Sequence, residues 1–162
     1  MTYYDDIADG YEELHLGEQM KKMGKLLDAV KVKEDETLLD VGCGTGISTR
    51  CWRCRRTGID PSEKLIAVAK EKDGAGDYIV GTAEKLPFKD GSFDVVISVT
   101  ALHNMDNVQQ ALKEMKRVGK GRFAFSVLQK SGKFNCIMET ILLNFAVKRI
   151  IKEEKDVIFI IS

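Results

Sequence analysis

The segment that most constrains this chain is Leu38-Leu39-Asp40-Val41-Gly42-Cys43-Gly44-Thr45-Gly46, an apolar run that ends in three glycines at alternate positions. Glycine lets a chain turn sharply and lets another molecule approach the main chain closely. A helix that starts beyond such a loop offers unpaired N–H groups and positive potential to a ligand. The glycines fall at 42, 44 and 46 and Ile47 follows, so the G-x-G-x-x-G fingerprint of dinucleotide sites is not met. No G-x-x-x-x-G-K-[ST] phosphate loop occurs either. A strand that runs into glycines in this way points to an adenosyl cofactor.

Around this segment, apolar runs alternate with helical patterns, the signature of a parallel sheet covered by helices on both faces. Strands are predicted at 37–41, 57–59, 78–80, 93–98 and 122–127. The last two, Phe93-Asp94-Val95-Val96-Ile97-Ser98 and Arg122-Phe123-Ala124-Phe125-Ser126-Val127, are continuous apolar runs of the kind buried on both faces, so they are expected to be central. Helical patterns fall at about 46–55, 61–72, 108–118 and 133–144, and a further helix over 11–30 precedes the first strand. Residues 145–151 and 157–161 flank a charged Lys152-Glu153-Glu154-Lys155 turn and read as an antiparallel hairpin. The expected fold is therefore α/β, a Rossmann-like, doubly wound, seven-stranded and mostly parallel sheet with a C-terminal antiparallel hairpin and helices on both faces. At 162 residues it reads as one domain, 1–162, with residues 1–36 as an N-terminal lid and helix and 37–162 as the core.

Composition narrows the partners. Lys and Arg number 25 and Asp and Glu number 25, so no global field exists to hold a polyanion, and nucleic acid is not indicated as a partner. No signal-like or membrane-length apolar stretch occurs, which predicts a cytoplasmic address and no membrane contact. Cys51 and Cys54 form a lone C-x-x-C without a second pair, so no metal site and no disulfide framework is expected. Arg50, Arg53, Arg55 and Arg56 form a basic cluster that reads as a solvated helix end.

Asp60 stands at the end of the second strand, about twenty residues beyond the first glycine, where doubly wound folds hydrogen-bond an acidic side chain to ribose hydroxyls. Capping the helix that opens at Pro61 is its other role, and the two are compatible.

Taken in order, these motifs resemble the class I S-adenosylmethionine-dependent methyltransferases, particularly the small-molecule type that includes the ubiquinone and menaquinone methylases. Leu39-Asp40-Val41-Gly42-Cys43-Gly44-Thr45-Gly46 looks like that family's first motif and Gly58-Ile59-Asp60-Pro61-Ser62 like its second. Gly81-Thr82-Ala83-Glu84-Lys85-Leu86-Pro87-Phe88 resembles the loop over the adenine, and residues 93–98 with Thr100-Ala101-Leu102-His103-Asn104 resemble the fourth strand and its functional exit. The resemblance implies Asp40 near the methionine amine, with Gly42, Cys43, Gly44, Thr45 and Gly46 along the amino-acid moiety and ribose. It places Asp60 and Pro61 at the ribose, Ala83 and Glu84 at the adenine, and the Val99 backbone beside the cofactor. Tyr4-Asp5-x-x-Ala8-x-x-Tyr11-Glu12 looks like the segment that folds over cofactor and acceptor, with Tyr11 as the lid residue. In two places the chain departs from the pattern: Val118-Gly119-Lys120-Gly121 replaces the usual Pro-Gly-Gly turn, and the helix after the glycine loop is unusually short. The Asn/Asp-Pro-Pro-Tyr tetrapeptide of methylases acting on exocyclic amines and glutamine side chains is replaced by Ser98-Val99-Thr100-Ala101.

The implied activity is transfer of a methyl group from S-adenosylmethionine to a small molecule, with S-adenosylhomocysteine as product. A sulfonium methyl is already a strong electrophile, so alignment and water exclusion are the main tasks. Should the acceptor be a hydroxyl or a carbon acid, His103 is the candidate base, because imidazole titrates near neutrality. Packing or helix capping is the competing role for this histidine, and His15 reads as a surface residue. Two alternatives are an RNA or protein methyltransferase working with a partner subunit and a non-catalytic cofactor-binding regulator.

Overall fold

A computed structural model describes the backbone of residues 8–162 and the side chains of residue 19 onward. Helix α1 (Ala8–Ala29) leads into β1 (Thr37–Val41) and β2 (Arg55–Asp60), followed by α2 (Glu63–Lys72) and β3 (Asp77–Val80). Next come β4 (Phe93–Val99), a 3₁₀ turn (Leu102–Asn104), α3 (Val108–Val118) and β5 (Gly119–Leu128). Helix α4 (Phe134–Asn144) and the hairpin β6 (Val147–Lys152) and β7 (Asp156–Ile161) complete the chain. The seven strands form one sheet in the order β3-β2-β1-β4-β5-β7-β6. Strands β1 to β5 pair in parallel and β7 is antiparallel to both β5 and β6, as the sequence predicts.

The period-2 alternation of β-strands sorts the core into two layers. Leu38, Val95, Ile97, Ala124, Ile158 and Ile160 face α1, where Met23, Leu26 and Val30 cover them. Leu39, Val96, Phe123, Phe125 and Phe159 face the other way, against Val108, Ala111, Leu112, Met115 and Val118 of α3 and Ile137 and Ile141 of α4. The five α3 residues recur at helical spacing, and Asn107 caps the helix by accepting the Gln110 N–H at 3.0 Å. On α2, Ser62 caps in the same way, accepting from the Leu65 N–H at 3.2 Å.

One expected element is absent. Residues 46–55 form no helix: the chain turns over 47–51 and enters β2 at Arg55. Length explains this correction. β1 ends at one edge of the sheet and β2 must begin at the other, a return of about 20 Å at about 3.3 Å per residue. The residues between Gly46 and Arg55 would span only about 12 Å as a helix. A more extended path closes the gap, and the apolar spacing that mimics a helix instead buries Trp52 in the layer beneath α1.

Phe125 is fully buried, and its ring centroid lies 6.0 Å from that of Phe123 and 5.2 Å from that of Phe145. Phe125→Ala is expected to lower stability by about 3–5 kcal/mol. Urea unfolding should show this as a lower midpoint at an unchanged m-value.

Candidate functional site

Parallel pairing puts the C-terminal ends of β1, β2, β3 and β4 at one edge, and the strand order reverses between β1 and β4, the position where doubly wound sheets bind ligands. A cavity of about 380 Å³ opens there. Gly42 and Gly44 wall it from the β1 loop, Asp60 and Pro61 from the end of β2, Gly81 to Glu84 from the end of β3, and Thr100, Ala101, Asn104, Met105 and Asp106 from beyond β4. Ile59 and Leu65 complete its lining.

The glycines are needed for conformation and for space. Gly42, Gly44 and Gly46 have φ of 78°, 56° and 84°, in the left-handed region that side chains disfavour. A Cβ on Gly42 would lie 2.5 Å from that of Ala101, and one on Gly46 would lie 2.8 Å from the Tyr78 hydroxyl. Tyr78 is itself fixed: its hydroxyl donates to Asp73 at 2.6 Å, and Arg56 holds the same carboxylate through two N–H groups at 2.9 and 2.6 Å. The Gly42 and Cys43 N–H groups donate to Ile59 O at 2.8 and 3.1 Å, tying the loop to β2.

Asp60 makes that tie specific. Its Oδ2 accepts the Gly44 N–H at 3.0 Å and its Oδ1 the Ser62 N–H at 2.9 Å, so one carboxylate joins the glycine loop to the start of α2. Ser62 Oγ takes the helix cap, which leaves the Asp60 carboxylate on the cavity wall.

Asp40 is completely buried on the α1 side of β1. Its Oδ2 accepts from Ser48 at 2.5 Å and Thr49 at 2.8 Å, while its Oδ1 has no partner. Burial pushes this carboxyl up to about 6, against the lowering effect of the two hydroxyls, and the nearby Asp60 charge pushes the same way as burial.

Beyond β4, Thr100 adopts φ 51°, the one non-glycine residue with positive φ among those described. Such conformations gather at functional sites. Its N–H donates to Ser126 O at 2.9 Å, and its hydroxyl donates to Asp156 Oδ2 at 2.6 Å and accepts from Lys22. His103, in the 3₁₀ turn, is half-buried with Nδ1 unpartnered. Burial pushes its imidazole below the ordinary value, opposed by the Asp156 carboxylate and helped by the Lys133 and Lys22 ammoniums.

Gly42, Gly44, Asp60, Pro61, Ala83 and Glu84, all singled out in the sequence, thus line one cavity. Asp40, Cys43, Thr45, Gly46, Val99 and His103 stand behind or beside its wall, with Cys43 packed against Ile66, Ala69 and Tyr78. The Tyr11 and His15 side chains and residues 1–7 lie outside the described residues. Leu65, Thr100, Ala101, Asn104 and Asp106 were missed as lining residues. Their position beyond a central strand was the available signal, but which of them turn inward depends on the 3₁₀ turn. All four cysteines are free thiols, and among the described residues no cluster suited to a metal occurs.

Comparison with known proteins agrees with this geometry. A methyltransferase-domain family model matches residues 39–125, from the strand before the glycine loop to the middle of β5. The chain belongs to the class I S-adenosylmethionine-dependent methyltransferases. It is 35% identical over 127 residues to an uncharacterised protein of Methanocaldococcus jannaschii, a match that covers 77% of this chain and 50% of that protein. It is 29% identical over 138 residues to the demethylmenaquinone methyltransferase of Thermotoga maritima, covering 80% of this chain and 60% of that enzyme. The chain thus spans about half to three fifths of the length of these curated relatives. Among solved structures it is similar to a methyltransferase in complex with the Haloferax volcanii Trm112 methyltransferase activator. That match has a TM-score of 0.74 and 26% identity and covers 78% of this chain and 61% of that one.

In this chain the buried Asp40 has a distinct pH signature. Its folded-state value of about 6 lies above the ordinary 3.8, so its contribution to stability is full below about pH 4 and is lost as pH rises through 6. The stability of wild type relative to Asp40→Asn is expected to fall by about 2.4 kcal/mol between pH 4 and pH 7. Denaturant titrations of both proteins at half-unit pH steps would measure it, and a flat difference would refute it.

Proposed function

We propose that the protein transfers a methyl group from S-adenosylmethionine to a small-molecule acceptor in the cytoplasm and releases S-adenosylhomocysteine. The observation that carries this reading is the junction of a left-handed glycine loop with the Asp60 carboxylate on the wall of the 380 Å³ cavity. That volume lies within the range of about 300–1,000 Å³ usual for small-molecule sites. The donor set fits the cofactor. Asp60 places an acceptor-only carboxylate on the cavity wall, a group suited to ribose hydroxyls. Gly42 to Gly46 expose main chain to the amino-acid moiety, and the bare Asp40 Oδ1 is a buried acceptor suited to its ammonium. Ala83 and Glu84 flank the adenine position and Val99 backs the cavity. Tyr11 is assigned to the cover by resemblance alone.

When bound, the cofactor supplies a methyl group activated by a sulfonium, and the chain must align the acceptor and exclude water. His103 is the proton acceptor in this reading, because its lowered pKa keeps the imidazole neutral at pH 7 and Nδ1 has no other partner. Support for a small-molecule acceptor comes from the similarity to a demethylmenaquinone methyltransferase. No helix among the described residues is long and apolar enough to cross a membrane, in keeping with the proposed address. The similarity to a methyltransferase held by an activator favours a second reading, in which a partner subunit completes the enzyme.

Calorimetric titration with S-adenosylmethionine is expected to give micromolar binding that Asp60→Ala weakens tenfold or more, about 1.4 kcal/mol. Absence of binding to the wild type would overturn the assignment. For a hydroxyl acceptor, His103→Gln is expected to lower kcat by about a hundredfold with cofactor affinity unchanged. An unaltered kcat would remove His103 from the chemistry.

A further inference from the structure

The cavity wall beyond β4 turns on a single corner. Thr100 leaves the strand at φ 51°, a left-handed conformation that is an outlier for a β-branched side chain. The residues that follow depend on that corner, and Ala101, Asn104, Met105 and Asp106 all line the cavity. Ala101 also abuts the glycine loop, since a Cβ built on Gly42 would lie 2.5 Å from its own. A change of backbone conformation at Thr100 would therefore carry this wall of the cavity with it and shift it against the glycine loop.

What holds the corner comes from three other elements. The Thr100 N–H donates to Ser126 O of β5 at 2.9 Å. The Thr100 hydroxyl donates to Asp156 Oδ2 of β7 at 2.6 Å and accepts from the Lys22 ammonium of α1. Lys22 also donates to the same Asp156 oxygen at 3.1 Å, and Ser126 Oγ donates to it at 2.6 Å. A hydroxyl carries one hydrogen, so with that hydrogen on Asp156 and Lys22 on a lone pair, the Thr100 side chain is fixed from both sides. Lys22 and Asp156 are both buried, and charge-assisted bonds in such a place are stronger than exposed ones. Disfavoured backbone conformations persist only where the surroundings over-determine them, and this cluster does so for Thr100.

We propose that Lys22 is a positioning residue for cofactor binding: with Asp156 and Ser126 it holds Thr100 in the left-handed conformation that shapes the cavity wall. This role rests on the methyltransferase reading. Lys22 does not line the cavity itself, so its effect on the cofactor passes through Thr100. Once the ammonium is removed, Thr100 is free to relax out of the disfavoured region. Apparent affinity then falls with the fraction of molecules that keep the binding-competent corner. Glycine enters the left-handed region as readily as the right-handed one, so a glycine at the corner has far less need of the cluster.

Calorimetric titration of the full chain with S-adenosylhomocysteine tests this role. Lys22→Met is expected to weaken binding about tenfold, and the same substitution in a Thr100→Gly background by less than about threefold. A second comparison separates conformation from contact. Thr100→Val keeps the branched shape and loses the hydroxyl bonds, whereas Thr100→Gly loses the shape as well, so a wall that merely touches the ligand would favour Thr100→Val. The positioning role predicts the reverse, with Thr100→Gly binding at least about fivefold more tightly than Thr100→Val. Three results would overturn the proposal: Lys22→Met binding like wild type, a Lys22→Met loss undiminished in the Thr100→Gly background, or Thr100→Val binding as tightly as Thr100→Gly. The comparison of the two Thr100 variants decides the matter where Lys22→Met does not fold. Absence of binding by wild type would instead remove the methyltransferase reading, and this role with it.

Discussion

Parallel pairing of β1 with both β2 and β4 is the constraint on which everything else here depends. It requires the chain to cross back after each strand, so every functional loop emerges at the same edge. The glycine loop, Asp60, the 81–84 segment and Thr100 come from four separate stretches of sequence and meet around one cavity for that reason alone. The Asp60 carboxylate then locks the first two of these crossings together, through one oxygen on each. A single side chain thereby sets both the shape of the loop and the polarity of the wall that it presents.

Charges inside this fold are placed unevenly. Asp40 lies in a dry position with two hydroxyls and no cation, which raises its pKa, whereas Asp156 has two hydroxyls and the Lys22 ammonium. Burial pushes the Asp156 carboxyl up as well, but those three donors together outweigh it and hold it below the ordinary range. Two buried carboxylates on the same face of one sheet thus differ in protonation behaviour because of their partners.

Much of this was legible in the sequence. The apolar runs at 93–98 and 122–127 have no hydrophilic side and became the central strands, and the 108–118 pattern became α3 with nearly the same bounds. The glycine loop and Asp60 were legible because their chemistry is local: a strand end, a sharp turn and an acid at a fixed distance. The 46–55 stretch was misread because apolar residues such as Ile47 and Cys51 fall four apart, and periodicity carries no information about how far the chain must travel. The Lys22–Asp156 pair was not legible at all. Its members are 134 positions apart, and nothing in either neighbourhood marks them as partners until the hairpin folds back against α1.

The Tyr78 ring has an evolutionary consequence. Added methyl groups on Gly46, Gly58 and Gly76 would all strike this one side chain, at 2.8, 2.8 and 2.9 Å. Tyr78 is thus a common neighbour of three glycines in separate loops and strands, alongside Cys43 Sγ at 2.7 Å from Gly58 and Asp73 Oδ2 at 2.6 Å from Gly76. The aromatic ring fills the space they leave, and Asp73 and Arg56 keep it from swinging away. These six positions form a unit whose members cannot drift one at a time. A lineage that enlarged any of these glycines would have to move the tyrosine along with its neighbours, and one that shrank the tyrosine would open a void beneath the glycine loop.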